Sequence, residues 1–351
     1  MTEHEQHILD EYREQKPQFE LLAQHAEQFL NTAVQKSKAQ VYGIIHRIKE
    51  QNSLAGKLHR KGDKYTSLSD ITDILGFRII CYFADDVDAI AQAVAETFDI
   101  DWENSIDKRH ALDINSFGYM AVHYICSIKK DAPLPEELKN KRFEVQMCSL
   151  LQHAWAVMNH DLGYKTKFGI PQAVSRDFSR LAGLMEIADE HFSRIRDTVS
   201  SYTEDVHQKI VNDTSSEIPI DAVSLAEYMK YSHKMRSFLN KIAEDCHAEI
   251  FDDTPENYIE QLAWLHKTKL GDIQKMLEEN GSLAERIAQK TLSEYELDIF
   301  AASVGLRALC HAELITKGFS EQQASEFFML SLNNKERSLQ HAKELLNEYK
   351  A

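Results

Sequence analysis

The sequence predicts an α+β domain followed by an all-α domain. Short runs rich in β-branched residues alternate with amphipathic helical patterns between residues 40 and 169, whereas only helical periodicity continues after Gly169. Six prolines and twelve glycines among 351 residues are few, as is typical of long helices joined by few turns. We therefore expect N-terminal helices over residues 1–39, an α+β domain over 40–169 and a helical domain over 170–351.

The individual elements follow from hydrophobic periodicity. Phe19, Leu22 and Ala26 recur at helical spacing in the first segment, and Pro17 is expected to divide that segment into two helices. Apolar β-rich runs then predict strands at 41–49, 76–83, 119–129 and 142–148, with helices at 53–61, 67–74, 85–98 and 150–161. Further helices are expected at 175–198, 225–250, 255–277, 282–293, 296–317 and 321–349.

Composition and charge exclude several classes of protein. No window contains the roughly 18 unbroken apolar residues that a membrane span requires, and the start Met1-Thr2-Glu3-His4-Glu5 is acidic where a signal peptide is basic. A formal charge of −16 opposes non-specific binding to nucleic acid or to anionic membranes. The five cysteines include no CxxC pair, which indicates buried thiols in a reducing compartment. We expect a cytoplasmic protein with no membrane partner.

A basic cluster provides a local site for an anion. Arg47 and Lys49 lie two residues apart on a predicted strand, and Ser53 and Lys57 lie four apart on a predicted helix, so each pair shares a face. Residues 46–64 contain six basic side chains and two acidic ones, which is a local charge of +4. Together with the N–H groups at the start of the helix, these charges fit a phosphate chain. The alternative is an ordinary solvent-exposed basic helix.

Two carboxylates and a tyrosine are further candidates for function. Glu144 lies within an apolar strand, where a carboxylate is costly unless it is paired or bound to a metal. Asp73 precedes the strand that begins near Gly76, and Tyr119 has a ring on which a base can stack. Each also has an ordinary explanation when taken singly: a surface position for either carboxylate and a core position for the tyrosine.

The order of these residues is more specific than any one of them. Five motifs occur between about residue 40 and residue 168, and together they resemble the synthetase domain of the RelA/SpoT alarmone family. The motifs are Arg47-Ile48-Lys49-x-x-x-Ser53-x-x-x-Lys57, Asp70-Ile71-Thr72-Asp73-Ile74-Leu75-Gly76-Phe77-Arg78-Ile79-Ile80, Gly118-Tyr119-x-x-x-His123, Glu144-Val145-Gln146 and Trp155-Ala156-x-x-x-His160-x-Leu162-x-Tyr164-Lys165. The resemblance ends near residue 168.

The resemblance implies a mixed, nucleotidyltransferase-like β-sheet flanked by helices, and a pyrophosphokinase activity. In that family ATP donates its β,γ-pyrophosphate to the 3′-hydroxyl of a guanosine nucleotide, GDP or GTP, which yields the ppGpp-type alarmones of the stringent response. For this chain the resemblance implies that Asp73 and Glu144 are catalytic and hold Mg²⁺. The binding residues that it implies are Arg47, Lys49, Ser53 and Lys57 for ATP, and Tyr119 and His123 for the acceptor.

Several positions depart from the family's pattern, mostly around the acceptor. Met120 and Ala121 stand where the family commonly has arginine and serine, and Cys148 stands where it has arginine. The alternatives are transfer to an adenosine nucleotide or to the 3′ end of tRNA, and a degenerate regulator that only binds nucleotide. The acidic charge disfavours tRNA, and the presence of both Asp73 and Glu144 disfavours a protein that only binds.

The flanking segments lead to two further expectations. About forty residues precede the synthetase pattern, too few for the hydrolase domain of the family's long members, so we expect synthesis without degradation. Apolar stripes in the C-terminal half must be buried, which predicts a helical domain packed on itself and a homo-oligomer. These stripes are Leu262, Leu265, Leu270, Ile273 and Leu277, and Phe327, Phe328, Leu330 and Leu332.

Overall fold

The computed structural model describes residues 2–61, 64–111, 120–164, 172–294 and 298–349. The chain folds into two compact units, Met1–Arg196 and Asp197–Ala351. We expected the division near residue 170, and it lies later, within the helix Gln172–Val211. The first part of this helix belongs to the first unit, since Asp189 accepts a hydrogen bond from Ser149 at 2.6 Å.

The first unit is built on a five-stranded mixed sheet. Its strands are β1 (Val41–Ile48), β2 (Leu75–Cys81), β3 (Asp99–Asp107), β4 (Val122–Ser127) and β5 (Phe143–Ser149), in the order β1-β2-β5-β4-β3. Strands β2 and β5 pair in parallel, and the other neighbours are antiparallel. The predicted fold class is confirmed. Strand β3 was not expected: Ile100, Trp102 and Ile106 alternate with polar residues, but Asn104 interrupts the alternation and none of the strand is buried.

The helices of this unit are α1 (Glu3–Ser37), α2 (Gln51–Lys61), α3 (Asp86–Thr97), α4 (Lys108–Ala111), α5 (Glu136–Lys139), α6 (Leu150–Tyr164) and the first part of α7 (Gln172–Val211). The expectation that Pro17 divides the first segment was wrong, because α1 continues through it. Tyr12 before the proline and Phe19 after it are buried in the same core cluster. The free energy gained by packing both residues in this core exceeds the cost of the backbone hydrogen bond that the proline removes.

The two faces of the sheet have different surroundings. On one face Phe77, Phe143, Val145 and Met147 are buried in a cluster that also contains the apolar residues of α1 and α3. Gly76 and Arg78 of β2 and Glu144 and Gln146 of β5 point to the opposite face and are only half-buried. Because side chains alternate along a strand, burial of one face leaves the polar residues of the sequence motifs together on the other.

The second unit is almost entirely helical. After the end of α7 it contains α8 (Ala222–Tyr231), α9 (His233–Cys246), α10 (Ile259–Trp264), α11 (Leu270–Glu294), α12 (Ser303–Thr316), α13 (Glu321–Leu332) and α14 (Lys335–Tyr349). A parallel pair of three-residue strands, β6 (Glu249–Phe251) and β7 (Ile299–Ala301), was not expected. The predicted helix 225–250 is two helices, because Ser232 is extended and its side chain caps α9. The predicted helix 321–349 is divided at Asn333, which has a φ of 44°.

The apolar stripes of this unit pack into one core. Leu262, Leu270, Ile273 and Phe327 are fully or almost fully buried in it, and Leu330 is 41 % exposed. The stripes therefore cover one another, as expected for a helical domain that packs on itself. Within the described part of the chain, no helix combines the length and the apolar character needed to cross a bilayer.

Candidate functional site

The strand register brings the motif residues into two rows on the half-buried face of the sheet. Arg47 of β1 pairs with Gly76 of β2, which in turn pairs with Glu144 of β5. In the next row, two residues along each strand, Arg78 pairs with Gln146, and Gln146 pairs with His123 of β4. Residues that pair across neighbouring strands share a face. Segments that are distant in the sequence therefore meet at one surface.

Gly76 leaves a space between two of these side chains. A Cβ atom placed on Gly76 would meet no atom within 4 Å. The space is part of a cavity of about 190 Å³ whose lining includes Arg47, Asp73 and Glu144. Helix α6 supplies another wall, through His153 and Val157.

A second and larger cavity lies beside the basic cluster. It has a volume of about 750 Å³, and its basic lining residues are Arg47, Lys49, Lys57, Arg60 and Lys61. Ser53, in the first turn of α2, and Asp73 also line it. Arg47 and Asp73 thus line both cavities, which connects the predicted phosphate site with the surroundings of Glu144.

Asp73 is held by two lysines of the basic cluster. Lys57 Nζ lies 2.7 Å from Asp73 Oδ1, and Lys49 Nζ lies 3.1 Å from Asp73 Oδ2. Burial raises the pKa of Asp73, but the hydrogen bonds and charges of these two lysines outweigh it, so the pKa lies below its ordinary value. Asp73 is therefore ionised at neutral pH.

Glu144 is held by the two polar side chains of the neighbouring row. His123 Nδ1 lies 2.8 Å from Glu144 Oε1, and Gln146 Nε2 donates to Glu144 Oε2 at 2.8 Å. Burial raises the pKa of Glu144, but the contact with His123 and the hydrogen bond from Gln146 lower it by more than burial raises it. The pKa of Glu144 therefore lies below its ordinary value. The negative charge of Asp73 acts in the opposite direction and raises the pKa of Glu144, which places the two carboxylates within electrostatic reach of each other.

Three further side chains at this site were given no role from the sequence, although two of them, Arg78 and Gln146, belong to the motifs. Arg78 donates to Gln146 Oε1 from Nη2 at 2.7 Å and from Nε at 3.1 Å, and its Nη1 lies 3.2 Å from His153 Nδ1. Burial, with the nearby charge of Arg78, lowers the pKa of His153. Arg78 and Gln146 each lie two residues after a motif residue, Gly76 and Glu144. Side chains two residues apart on a strand point to the same face, so this spacing predicts that Arg78 and Gln146 lie on the face of Gly76 and Glu144.

The residues at the site fit a hard divalent cation. Asp73 and Glu144 both offer ionised carboxylate oxygens, the ligand type that Mg²⁺ prefers. Among the described residues, no group of three or more His, Cys, Asp or Glu side chains is arranged to hold a metal ion. Mg²⁺ in phosphate-binding sites commonly takes one or two carboxylates from the protein and its remaining ligands from water and phosphate oxygens.

Most of the predicted site residues lie together. Arg47, Lys49, Ser53, Lys57 and Asp73 line the larger cavity, and Glu144 lines the smaller one. His123 contacts Glu144 directly, a contact that the sequence did not predict. Gly118 and Tyr119 lie outside the described residues.

This arrangement agrees with a comparison of the chain with known protein families. Residues 46–168 match the family model described as the region found in RelA / SpoT proteins. This segment belongs to the RelA/SpoT family. The resemblance seen in the order of the five motifs is therefore confirmed, and the RelA/SpoT segment contains every residue that we predicted for the site.

Two curated relatives come from Bacillus subtilis (strain 168). The GTP pyrophosphokinase YjbM is 27% identical over 157 residues, which cover 44% of this chain and 72% of that protein. The GTP pyrophosphokinase YwaC is 26% identical over 174 residues, which cover 46% of this chain and 81% of that protein.

Solved structures of small synthetases are also similar to this chain. The small alarmone synthetase 1 from Bacillus subtilis aligns with a TM-score of 0.47 at 22% identity and covers 55% of this chain and 99% of that one. A GTP pyrophosphokinase family protein from Streptococcus pneumoniae aligns with a TM-score of 0.45 at 21% identity, covering 57% of this chain and 97% of that one.

Proposed function

We propose that this protein is a GTP pyrophosphokinase, which transfers the β,γ-pyrophosphate of ATP to the 3′-hydroxyl of GDP or GTP. One observation carries the proposal: Arg47 and Asp73 line both cavities, so the basic cluster and the carboxylate of Glu144 border one site. The RelA/SpoT segment and the two relatives named GTP pyrophosphokinase support it.

The basic cluster is suited to bind the donor. Lys49, Lys57 and Arg47 bring positive charge to the wall of the larger cavity, and Ser53 lies in the first turn of α2, where backbone N–H groups add to that charge. Without nucleotide, both lysines neutralise Asp73. We propose that they exchange this carboxylate for the phosphates of ATP.

Asp73 and Glu144 would then hold Mg²⁺, whose charge neutralises the phosphate oxygens of the transferred group. The lowered pKa of each carboxyl group keeps both carboxylates ionised, as ligands must be. Glu144 keeps its orientation through His123 and Gln146. Its negative charge also suits it to accept the proton that the 3′-hydroxyl loses.

The transfer itself is a displacement at the β-phosphorus of ATP. The 3′-oxygen of the acceptor forms a bond to this phosphorus, the bond between the β-phosphorus and the oxygen bridging it to the α-phosphorus breaks, and AMP leaves. Such reactions gain chiefly from in-line positioning and from cations near the transferred group. We propose that Tyr119 stacks on the acceptor base and that His123 lies beside the acceptor, where it also orients Glu144.

The decisive experiment supplies the purified protein with γ-labelled ATP and Mg²⁺, and with one acceptor at a time: GDP, GTP, an adenosine nucleotide or tRNA. We expect labelled product with GDP or GTP, and none with the Asp73→Ala or Glu144→Ala variants at the same concentration. Product on tRNA alone would replace the proposed acceptor. Binding of ATP without any product would instead indicate a regulator that only binds nucleotide.

We further propose that the protein acts in the cytoplasm, where its nucleotide substrates are, and that it forms a homo-oligomer. The exposed apolar side chains Leu181, Leu184 and Ile195 on α7 support the second proposal, since exposed apolar surface is commonly buried in an interface. Light scattering at micromolar concentration tests it, and a monomer mass would refute it.

A further inference from the structure

A buried polar cluster lies where β5 joins α6. Ser149, Gln152 and Asp189 are only 1, 2 and 3 % exposed. Ser149 Oγ donates to Asp189 Oδ2 at 2.6 Å and accepts from the backbone N–H of Gln152 at 3.1 Å. The cluster therefore joins the end of β5, the first turn of α6 and the middle of the first part of α7.

The cluster also reaches the segment that leads into β4. Gln152 Oε1 accepts a hydrogen bond from the backbone N–H of Met120 at 3.1 Å. Met120 directly follows Tyr119 in the sequence and lies three residues before His123, the partner of Glu144. Contacts through Gln152 thus act on the backbone between the two residues that we propose for the acceptor.

Such a cluster is costly for stability. Burial raises the pKa of Asp189, and the hydrogen bond from Ser149 only partly opposes the shift. A well-packed apolar group in place of a buried charge is often neutral or stabilising, so stability alone does not account for these residues. Gln152 is held through its backbone by Ser149 and bonds Met120 through its side-chain oxygen, which is the arrangement that a positioning role requires.

We propose that Gln152, whose backbone N–H donates to the Asp189-bound hydroxyl of Ser149, is a positioning residue that fixes the backbone at Met120 and thereby the acceptor side of the site. This inference rests on the proposed function and deepens it. It predicts that damage to the cluster weakens the use of the acceptor and leaves the use of ATP almost unchanged. The residues proposed for ATP lie on β1, on α2 and between these two elements.

Gln152→Met tests the proposal, since it keeps the length of the side chain and removes the acceptor oxygen. We expect the KM for the acceptor to rise about tenfold and the KM for ATP to change by less than about twofold. We also expect the amide hydrogens of the peptide covering residues 120–127 to exchange about tenfold faster, as measured by mass spectrometry. Ser149→Ala is a smaller change and should shift the KM for the acceptor and the amide exchange in the same direction. It replaces Gln152→Met as the test variant if Gln152→Met does not fold.

Gln261→Met is the matched control. Gln261 is also buried, and its Nε2 donates to Ser331 Oγ at 3.1 Å, but it belongs to the second unit. The Gln261→Met variant should leave the KM for the acceptor, the KM for ATP and the amide exchange of residues 120–127 unchanged. Unchanged exchange in Gln152→Met would overturn the proposal even if the wild-type protein proved inactive, and an equal rise in both KM values would overturn the acceptor role. Absence of product from the wild-type protein would instead count against the proposed function.

Discussion

Lys57 Nζ and Asp73 Oδ1 lie 2.7 Å apart, so a lysine that we assign to the donor phosphates neutralises a carboxylate that we assign to the metal. Lys49 binds the other oxygen of the same carboxylate at 3.1 Å. A carboxylate oxygen that accepts a hydrogen bond from a lysine is not available to a cation, so the lysines and Mg²⁺ compete for Asp73. Binding of both nucleotide and Mg²⁺ would resolve this competition. The two lysines would then bind the phosphates in place of Asp73, and Asp73 would bind Mg²⁺ in place of the lysines.

The first prediction follows from this competition. Asp73→Asn should abolish transfer, with a loss of roughly a hundredfold or more, because one anionic ligand of the cation is removed. The affinity for ATP without Mg²⁺ should rise about two- to fivefold, because a partly exposed ion pair worth roughly 0.2–1 kcal/mol no longer holds the lysines. Calorimetry in the presence of a chelator measures this rise. Asp10→Asn, which alters an exposed ion pair with Arg13, should change neither quantity.

The second prediction concerns the lysines themselves. Lys49→Ala and Lys57→Ala should each weaken binding of ATP with Mg²⁺ about ten- to hundredfold, because a charge-assisted contact contributes roughly 1.5–3 kcal/mol. Lys241→Ala is the matched control, since Lys241 pairs with Glu285 in the second unit. Equal ATP affinity in all three variants would mean that the basic cluster is only an exposed helical surface.

The third prediction concerns the space above Gly76. Gly76→Leu should reduce transfer roughly a hundredfold, because the new side chain enters the cavity of about 190 Å³ between Arg47 and Glu144 and displaces bound groups. The thermal midpoint should stay close to that of the wild type, since a Cβ at Gly76 meets no atom within 4 Å. Gly281→Leu adds the same bulk in open space on α11 and should leave transfer intact. Full activity of Gly76→Leu would place the reaction outside this cavity.

The sequence indicated candidate residues for the site but not their contacts. The order of the motifs named Asp73 and Glu144, because that order is a property of the chain itself, and the structure places both in the lining of one cavity. The contact between His123 and Glu144 depends on β4 and β5 lying side by side, and the strand order β1-β2-β5-β4-β3 is not the order of the sequence. Such long-range pairing is set by packing of the whole sheet, which local periodicity does not report.

The same distinction explains the errors in the fold. Local propensity predicted a break at Pro17, and burial of Tyr12 and Phe19 in one core kept α1 continuous. In the second unit, the reverse occurred at Asn333, where the apolar pattern continued but the backbone turned into the left-handed region. Hydrophobic periodicity indicated helices in this unit but misplaced two of their bounds. The predicted helix 255–277 is interrupted after Trp264, and the predicted break between 277 and 282 is absent because α11 continues through it.

The fourth prediction is a pH dependence that arises from Asp189. Because the pKa of Asp189 in the folded protein is raised above its ordinary value of 3.8, the folded state binds the proton more tightly than the unfolded state. This group therefore makes the protein less stable as pH rises from about 4 through the raised pKa, and its effect is constant above it. Asp189→Asn should gain stability relative to the wild type across that interval. Urea unfolding of both proteins at about pH 4 and pH 7 measures the difference, and a gap that does not widen with pH would contradict the prediction.

The last prediction concerns the acceptor, where the sequence departs most from its family. Met120 and Ala121 offer no polar side-chain hydrogen bond, and Ala121 is fully buried. A site rejects a wrong substrate strongly only when its own polar groups would be left unpaired, so we expect weaker discrimination between guanine and adenine nucleotides than in typical relatives.

Tyr119 supplies a ring that stacks on either base, at roughly 1–3 kcal/mol per base. Tyr119→Ala should therefore raise the KM for the acceptor about ten- to hundredfold and change the KM for ATP little, whereas Tyr119→Phe, which keeps the ring, should resemble the wild type. Steady-state kinetics with each substrate varied in turn measures the two values, and an equal effect of Tyr119→Ala on both would assign Tyr119 to the core.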